Sequence, residues 1–393
     1  MRYERNYDVV AIGAGPAGSM AGRAAAQNGC SALIIEQKLD IGSPVRCGTI
    51  IINMPAYERK LNIKMDPACI NNQFRAIRDY SPSGKMAQRP MMATGVNRNI
   101  FDKHLAREAG RAGAHIMINT RVVGLIKEKG FVTGVIARSA GETLKIGAKV
   151  VIGADGFSAN SARWAGLKRP TLMTHCINIE MVNVKHPDPS IYTIFLSPKF
   201  CPGGHAWVLM RGNDTANLGL GFIPKYNKEK ISLREMHRRF MQHPVVSKWL
   251  EKATPTAMWG GAWPAGGPVQ TSVANGLLLA GNSAGHIWAH TGAGVTMAMT
   301  AGHIAGEEAA RAIKKGDVSS QGLQIYEDKW RATIGKSMIA WAEATPTFLD
   351  MVSSEKLIDK AVEEIPDVFS GLISVGRGFA EPAQQWLAAQ KSK

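Results

Sequence analysis

Near the N-terminus the chain reads DVVAIGAGPAG at residues 8–18, and this stretch decides the fold. Residues 8–12 form the short apolar run of a buried strand, and a GxGxxG turn follows at 13–18. Alanine-rich sequence that favours a helix comes next, and a second apolar run at 32–35 ends at Glu36. This order of strand, glycine turn, helix, strand and acidic residue predicts a dinucleotide-binding unit.

The three glycines of the turn each have a physical function in such a unit. Gly13 permits the tight turn, Gly15 lets the backbone approach a pyrophosphate, and Gly18 allows the helix to pack closely on the strand. The N-terminus of the helix supplies free N–H groups and the positive end of the helix dipole. Glu36 is expected to accept hydrogen bonds from ribose hydroxyls.

The composition is that of a globular protein with a basic body. Of its 393 residues, 45% are hydrophobic and 20% are charged, which excludes a disordered or fibrous chain. The formal net charge is +16, and residues 321–393 carry only 8 basic against 10 acidic side chains, so the positive charge belongs to residues 1–320. Such a field attracts anionic lipid or phosphorylated substrates. Nucleic acid is not expected as a partner, because no Lys/Arg-rich run with interleaved aromatic residues occurs.

The cysteines give no sign of a disulfide framework or a metal site. They are five in number, scattered, and never in a CxxC pair: Cys30, Cys47, Cys69, Cys176 and Cys201. The sequence shows no signal peptide and no run of about twenty apolar residues. We therefore expect a reduced, cytoplasmic protein without a metal.

Two later glycine turns indicate which dinucleotide is bound. Residues 149–156 read KVVIGADG and residues 276–285 read GLLLAGNSAG. Together with the first turn they resemble the FAD-dependent family of the aromatic-hydroxylase type, in which three such motifs wrap an extended FAD. Asn282 stands where that family usually has Asp. An amide keeps an acceptor oxygen but no charge, so we expect FAD binding to weaken by about 1 kcal/mol.

A narrower resemblance comes from four further segments. They read IGSPVRCG at 41–48, RNIFDKHL at 98–105, ARWAGL at 162–167 and GHAWV at 204–208. Over about residues 5–330 the chain resembles the archaeal-type geranylgeranyl reductases, which reduce isoprenoid double bonds in membrane lipids. The resemblance implies that Arg98 contacts the FAD pyrophosphate or ribityl group. It also implies that Cys47 lies near the isoalloxazine ring and that the Trp207 indole faces the lipid.

The resemblance also implies a set of site residues. The cofactor-binding residues are Gly13, Gly15, Pro16, Ala17, Gly18, Glu36, Gln37, Arg46, Cys47, Gly48, Arg98, Val123, Asp155, Gly156, Gly281, Asn282, Gly292, Ala293, Gly294 and Val295. The catalytic candidates, as proton donors, are Cys47 and His290, and the substrate-facing candidates are His205, Trp207 and Trp288; of these, His290 and Trp288 are chosen for their position in this chain and not from the resemblance.

For several of these residues a structural role stays open. The alternative for Arg98 is a surface charge at a helix start, and the alternative for Cys47 is a small buried hydrophobe. Trp207 would serve as a core residue on an apolar strand. The segment after the third glycine turn lacks the proline of the reductases and adds Trp288 and His290, which would stack on the ring, donate a proton or fill space.

The predicted fold class is α/β, with a Rossmann-type FAD-binding domain of the aromatic-hydroxylase or glutathione-reductase-2 type. An antiparallel-sheet substrate domain and a C-terminal helical region complete it. The FAD-binding domain is expected at 1–75, 97–170 and 271–320, the substrate domain at 76–96 and 171–270, and the helical region at 321–393. Helical spacing predicts one packing helix over 233–250 and further helices at 355–364 and 382–390. The apolar residues at 368–369 and 372–375 would pack on the body or dip into a membrane.

Three functions are compatible with these motifs. The first is reduction of carbon–carbon double bonds of an isoprenoid lipid by hydride from flavin N5, with ferredoxin, NADPH or a partner flavoprotein as external electron donor. A basic body suits work at the surface of an anionic membrane. The second is an electron carrier like the flavoprotein that links electron-transfer flavoprotein to quinone. The third is monooxygenase or halogenase chemistry, although the Trp-x-Trp-x-Ile motif of halogenases is absent.

Overall fold

The computed structural model of the chain describes residues 5–45, 50–289, 291–374 and 377–391. Two eight-stranded sheets and a set of helices make up these residues. The strands are β1 (Arg5–Ile12), β2 (Ala32–Ile35), β3 (Ile50–Ile52), β4 (Ile70–Tyr80), β5 (Met86–Val96), β6 (His115–Met117), β7 (Thr120–Glu128), β8 (Phe131–Ser139), β9 (Glu142–Gly153), β10 (Met173–Val182), β11 (Ile191–Phe195), β12 (Ala206–Met210), β13 (Ala216–Phe222), β14 (Thr254–Pro264), β15 (Val273–Ala274) and β16 (Leu277–Leu279).

The helices lie mainly between strands of the first sheet and at the C-terminal end. They are α1 (Pro16–Gln27), α2 (Met54–Leu61), α3 (Arg98–Arg111), α4 (Asn160–Ala165), α5 (Leu233–Met241), α6 (Val246–Trp249), α7 (Val295–Lys315), α8 (Ser320–Trp330), α9 (Lys336–Met351), α10 (Glu355–Glu364), α11 (Pro366–Ser374) and α12 (Ala380–Lys391). A π-helical turn at Arg331–Gly335 joins α8 to α9. No described helix has both the length and the apolarity needed to cross a membrane.

The first sheet is the dinucleotide-binding sheet predicted from the glycine turn. Its strands follow the order β15–β16–β9–β1–β2–β6, and β16, β9, β1, β2 and β6 run parallel. The antiparallel ribbon of β7 and β8 attaches to it through β9. Strands β1 and β2 contain apolar runs that face both ways because both faces of the sheet are covered, one by α1 and α7 and the other by the β7–β8 ribbon. The predicted α/β Rossmann-type fold is confirmed.

The second sheet is largely antiparallel, in the order β14–β10–β13–β12–β11–β4–β5–β3. Only β11 and β4 pair in parallel. This sheet takes in β3 and the start of β4, although both lie within the 1–75 range assigned from sequence to the FAD-binding domain. A three-residue edge strand leaves no signal in the sequence that would place it in either sheet. The domain boundaries themselves stay a prediction.

Helices α1 and α7 pack on each other with almost no side chain between their backbones. A Cβ atom added at Gly302 would lie 2.1 Å from the backbone oxygen of Ala17, and one at Gly306 would lie 2.2 Å from that of Ala21. Both alanines are buried, and they present only a methyl group to the neighbouring helix. The two helices therefore hold their N-termini at fixed positions relative to the sheet.

The C-terminal helices cover one end of the second sheet. Burial of Phe348, Ile358 and Phe369 against Ile77 and Ile194 joins the helices to β4 and β11. Phe369 is 1% exposed and Val368 packs beside it, which agrees with packing on the body. The side chains at 372–375 lie outside the described residues.

A buried acid lies at the contact between these helices and the sheet. Asp79 of β4 is fully buried, and its Oδ2 atom accepts a hydrogen bond of 2.5 Å from Ser370 Oγ of α11. Burial raises the pKa of Asp79 to about 7, and neither the hydrogen bond from Ser370 nor the charge of Arg89 compensates for it. The Asp79 carboxyl therefore keeps its proton in the folded protein well above the pH at which it ionises in the unfolded chain.

Substitution of Gly302 by alanine should lower the free energy of unfolding by about 2 kcal/mol, because the added methyl forces α1 and α7 apart. Gly110→Ala is the matched control, since a Cβ at this exposed helical glycine meets no atom within 4 Å. Urea unfolding monitored by circular dichroism measures both. Equal stability of the two variants would show that the helix contact tolerates a methyl group.

Stability should also depend on pH through Asp79. The folded state retains this proton up to about pH 7, whereas the unfolded state releases it above the ordinary aspartate pKa of 3.8. The free energy of unfolding therefore falls as the pH rises between these two values. We expect the excess stability of the wild type over Asp79→Asn to be larger at pH 5 than at pH 8 in urea titrations. The exposed Asp214→Asn serves as control. A difference that does not change with pH contradicts the assignment.

Candidate functional site

A cavity of about 350 Å³ lies at the carboxyl ends of the parallel strands, between the first and second sheets. Its walls include the residues that follow four neighbouring strands: Gly15–Ala17 after β1, Gln37–Lys38 after β2, Ala154–Ser158 after β9 and Ala280–Asn282 after β16. Ligands of open parallel sheets bind at this edge. We call this cavity the cofactor cleft.

The N-terminus of α1 opens into the cofactor cleft. Gly15 is its N-cap residue, no side chain caps the helix, and its first turn contains no acidic residue. A Cβ atom built on Gly15 meets no atom within 4 Å, so the space in front of the helix is open. Free N–H groups at the positive end of the helix dipole make this position suitable for a diphosphate.

Gly13 and Gly18 shape the turn from behind and do not line the cleft. A Cβ at Gly18 would lie 1.8 Å from the backbone oxygen of Gly13, and Gly13 itself has a φ of +101°. These contacts fit the close packing of helix on strand that the sequence predicts. In this structure the two residues hold Gly15 in place, and their own contact with the cofactor stays a prediction.

Glu36 holds the same turn through its carboxylate. Its Oε2 atom accepts a hydrogen bond of 2.9 Å from the Ala14 N–H, and Oε1 accepts one of 3.0 Å from the Lys38 N–H. Each oxygen retains a lone pair for a ribose hydroxyl. Gln37 lines the cleft, whereas the buried Glu36 and Val123 on β7 are not among the lining residues.

Arg98 is one of the cations in the cofactor cleft. It forms a bidentate ion pair with Asp102 one turn later in α3, with Nε–Oδ1 at 2.7 Å and Nη2–Oδ2 at 2.8 Å. Both side chains are largely buried, so the alternative of a free surface charge does not hold. Asp102 fixes the guanidinium plane, which makes it a positioning residue that the sequence analysis did not identify.

The second glycine turn is closed by its own acid. Asp155 Oδ1 accepts from Ser161 Oγ at 2.6 Å, and Oδ2 accepts from the Ser161 N–H at 3.0 Å. Both oxygens of Asp155 thus hold the start of α4, while Gly156, with a φ of +71°, lines the cleft with open space beside it. The sequence predicted Asp155 as a cofactor ligand; its carboxylate in this structure holds the turn.

The third turn places Gly281 and Asn282 in the cleft and is braced by a buried histidine. His286 Nδ1 accepts a hydrogen bond of 3.3 Å from the Gly281 N–H. Burial, with the charge of Arg331, lowers the pKa of His286 to about 3, so its ring is neutral. A neutral ring is needed here because the accepting nitrogen carries no proton.

A second helix N-terminus, that of α7, faces the same cleft. Gly292, Gly294 and Val295 line it, Gly294 is the N-cap residue, and no side chain caps this helix either. Ala293 faces a different cavity on the other side of the loop. The two uncapped helix ends give the cleft a positive potential at two separated positions.

The opposite wall of the cleft comes from the second sheet. Cys176 of β10 and Trp263 of β14 line it, and the Trp263 indole N–H donates a hydrogen bond of 3.1 Å to the Ala289 carbonyl. Cys176 lies opposite Gly261 in the β10–β14 register, so the sheet alone brings it to the cleft. The sequence analysis did not select Cys176, because nothing local marks it.

The predicted substrate residues lie near this wall but do not line the cofactor cleft. Trp207 packs behind Trp263 with ring centroids 6.4 Å apart, and its indole N–H donates to Asn217 Oδ1 at 2.9 Å. His205 is buried beside both tryptophans. Trp288 stacks on Trp341 at 5.4 Å and lines the second cavity. Their contact with substrate stays a prediction.

Four predicted site residues fall outside the described part of the chain: Arg46, Cys47, Gly48 and His290. Gly42 and Pro44, in the preceding part of the same loop, line the cofactor cleft. The roles of Cys47 and His290 as proton donors therefore stay predictions.

The residues that line the cleft fit FAD. Two open helix N-termini, a buried guanidinium and glycines without a side chain in the path suit a long, anionic dinucleotide. A family profile described as "FAD binding domain" matches residues 6–342. The digeranylgeranylglycerophospholipid reductase of Methanocaldococcus jannaschii is 39% identical over 331 residues, which is 83% of this chain and 82% of the relative. The chain belongs to the FAD-binding geranylgeranyl reductase family.

Solved structures agree with this membership. A geranylgeranyl bacteriochlorophyll reductase-like protein from Thermoplasma acidophilum has a TM-score of 0.87 at 30% identity, over 96% of each chain. A flavin-dependent brominase, at 20% identity and a TM-score of 0.77 over 98% of this chain and 99% of its own, shares the fold alone. The predicted cofactor is confirmed as FAD, and this family member is an FAD-dependent oxidoreductase.

Replacement of Asn282 by aspartate should tighten FAD binding by about fivefold, because a charged acceptor forms a stronger hydrogen bond to a hydroxyl than an amide does. Asn282→Ala should weaken it, since it removes the acceptor. Titration of the apoprotein with FAD, followed by quenching of flavin fluorescence, gives both dissociation constants. Tighter binding by the alanine variant than by the wild type would mean that Asn282 makes no such bond.

Proposed function

We propose that this protein reduces carbon–carbon double bonds in the geranylgeranyl chains of an isoprenoid lipid. The observation that carries the proposal is the apolar wall opposite the cofactor cleft. Cys176, Trp263 and Ile287 line the cleft on this side. Phe74, Trp207 and Leu209 pack behind them in the same apolar cluster. A flavin site walled in this way suits an apolar chain and excludes water.

The relatives support the same substrate class. The digeranylgeranylglycerophospholipid reductase of Methanothrix thermoacetophila is 36% identical over 340 residues, which is 84% of each chain. This chain covers more than four fifths of the length of each of these relatives. The proposed substrate is therefore a lipid that carries geranylgeranyl chains.

Bound FAD, once reduced, supplies hydride to one carbon of the double bond. The chain's own residues supply the rest. Trp263 and its neighbours hold an apolar chain against the cleft, since an isolated alkene reacts only when it is aligned and dry. The N-terminus of α7 stabilises negative charge at the end of the cleft that it faces. Cys47 and His290 are the proposed proton donors for the second carbon.

The electron donor is proposed to be external, as ferredoxin, NADPH or a partner flavoprotein. Work at the cytoplasmic face of a membrane is proposed from the net charge of +16, which attracts anionic lipid headgroups. Residues 321–393 carry more acidic than basic side chains, so the proposed attraction of anionic headgroups comes from residues 1–320.

Anaerobic single turnover tests the proposal. Dithionite-reduced holoenzyme should be reoxidised by a geranylgeranyl lipid, with loss of double bonds measured by mass spectrometry. A saturated phytanyl lipid, which has no acceptor bond, is the matched control and should leave the flavin reduced. Reoxidation by quinone but not by the unsaturated lipid would identify an electron carrier instead.

A further inference from the structure

The loop between the third glycine turn and α7 determines where that helix begins. In the described part of the chain it comprises residues 286–289 and 291–294, and we call these residues the α7 loop. The loop is closed by its own backbone, since the Trp288 N–H donates a hydrogen bond of 3.1 Å to the Ala293 carbonyl. Because the loop ends at Gly294, the N-cap residue of α7, its position sets the position of the open helix end.

The C-terminal helices hold the α7 loop through Trp288. The indole N–H of Trp288 donates a hydrogen bond of 3.2 Å to Ser337 Oγ, and its ring stacks on Trp341 with centroids 5.4 Å apart. Both partners belong to α9. This attachment uses a side chain of the loop itself and leaves the contact with the second sheet to another residue.

The second sheet holds the α7 loop through Trp263 of β14. The indole N–H of Trp263 donates a hydrogen bond of 3.1 Å to the Ala289 carbonyl. Its ring also lies against Gly292, where an added Cβ atom would be 2.9 Å from Trp263 Cε2. Gly292 has a φ of +72°, so its backbone conformation and its contact with the indole both favour glycine. The loop is therefore shaped around this ring.

Trp263 is in turn fixed by the second sheet. It is 9% exposed and pairs with Thr174 in the register of β10 and β14. Its ring extends to Gly221 of β13, where an added Cβ atom would be 2.5 Å from Trp263 Cη2. An indole packed against a glycine of the sheet and a glycine of the loop has little room to change its rotamer. It therefore fixes the loop relative to the sheet.

The open end of α7 is suited to the part of FAD that changes charge on reduction. The N-terminus of α1 follows the GxGxxG turn and suits the diphosphate, so the end of α7 remains for the flavin ring. The ring gains negative charge when it takes up two electrons. N–H groups at the positive end of a helix therefore bind reduced FAD more tightly than oxidised FAD, provided that they are held in place.

We infer that Trp263 is a positioning residue that sets the redox potential of the bound FAD. It ties the α7 loop to the second sheet, and it thereby holds the N–H groups at the start of α7 where negative charge develops on reduction. This inference goes beyond the proposed function, because it concerns the bound cofactor alone. The same indole lines the cofactor cleft, so one side chain serves the apolar wall and the cofactor site.

Spectroelectrochemical titration of the substrate-free holoenzyme tests the inference. Trp263→Phe removes the indole N–H and keeps an aromatic ring. It should reduce the preference for reduced over oxidised FAD about tenfold, which lowers the midpoint potential by about 30 mV. Trp259→Phe is the matched control, because Trp259 lies on the same strand and its indole N–H has no hydrogen-bonding partner among the described residues. The midpoint potential of this control should equal that of the wild type.

Gly292→Ala tests the same contact from the loop. The added methyl group should push the α7 loop away from the indole and lower the midpoint potential in the same direction. Wild-type potentials in both Trp263→Phe and Gly292→Ala, at full flavin content, overturn the inference, and so does an equal shift in Trp259→Phe. Complete loss of FAD from both variants also overturns it, because the contact would then hold the whole site and not its potential. The proposed function is tested separately, by single turnover with the unsaturated lipid.

Discussion

The contact between α1 and α7 is the constraint on which the cofactor site depends. Gly302 and Gly306 allow backbone to approach backbone at distances that any side chain would prevent. The two helices come from sequence positions nearly 280 residues apart, yet each begins at the carboxyl edge of the first sheet. Their open N-termini therefore face one cleft, and a dinucleotide with negative charge at separated positions meets a positive helix end at each.

The acids of the site act mainly on the protein itself. Glu36, Asp102 and Asp155 each direct their oxygens to a backbone N–H, a guanidinium or a hydroxyl of the chain. Only Asp102 is paired with a cation, Arg98, while Glu36 and Asp155 accept hydrogen bonds from neutral groups of the turns that they hold. Pre-organised turns of this kind also reduce the entropy lost on binding.

The sequence predicted the first sheet well because its signals are local. The glycine turn, the apolar runs and Glu36 all lie within about thirty residues, and α10 matches the predicted helix at 355–364. The predicted helix over 233–250 is wrong in one respect, since it ends at Met241 and resumes at Val246. Pro244 lies in that gap, where it cannot continue an i to i−4 ladder. Cys176 was missed because its position in the cleft arises from strand register, which no local pattern encodes. Asp102 was within reach of the sequence, because it lies four residues after Arg98 on the same helix, the spacing of an ion pair.

The burial of Asp79 under Ser370 has a consequence for how the chain is made. The face of β4 and β11 that carries Ile77 and Ile194 is completed by helices that begin about 270 to 310 residues after β4 begins. A nascent chain emerging from the ribosome must therefore carry this apolar surface uncovered for most of its translation. Because of this topology, the nascent chain needs either a chaperone that covers the exposed face or a core that stays incompletely packed until the C-terminal helices leave the ribosome.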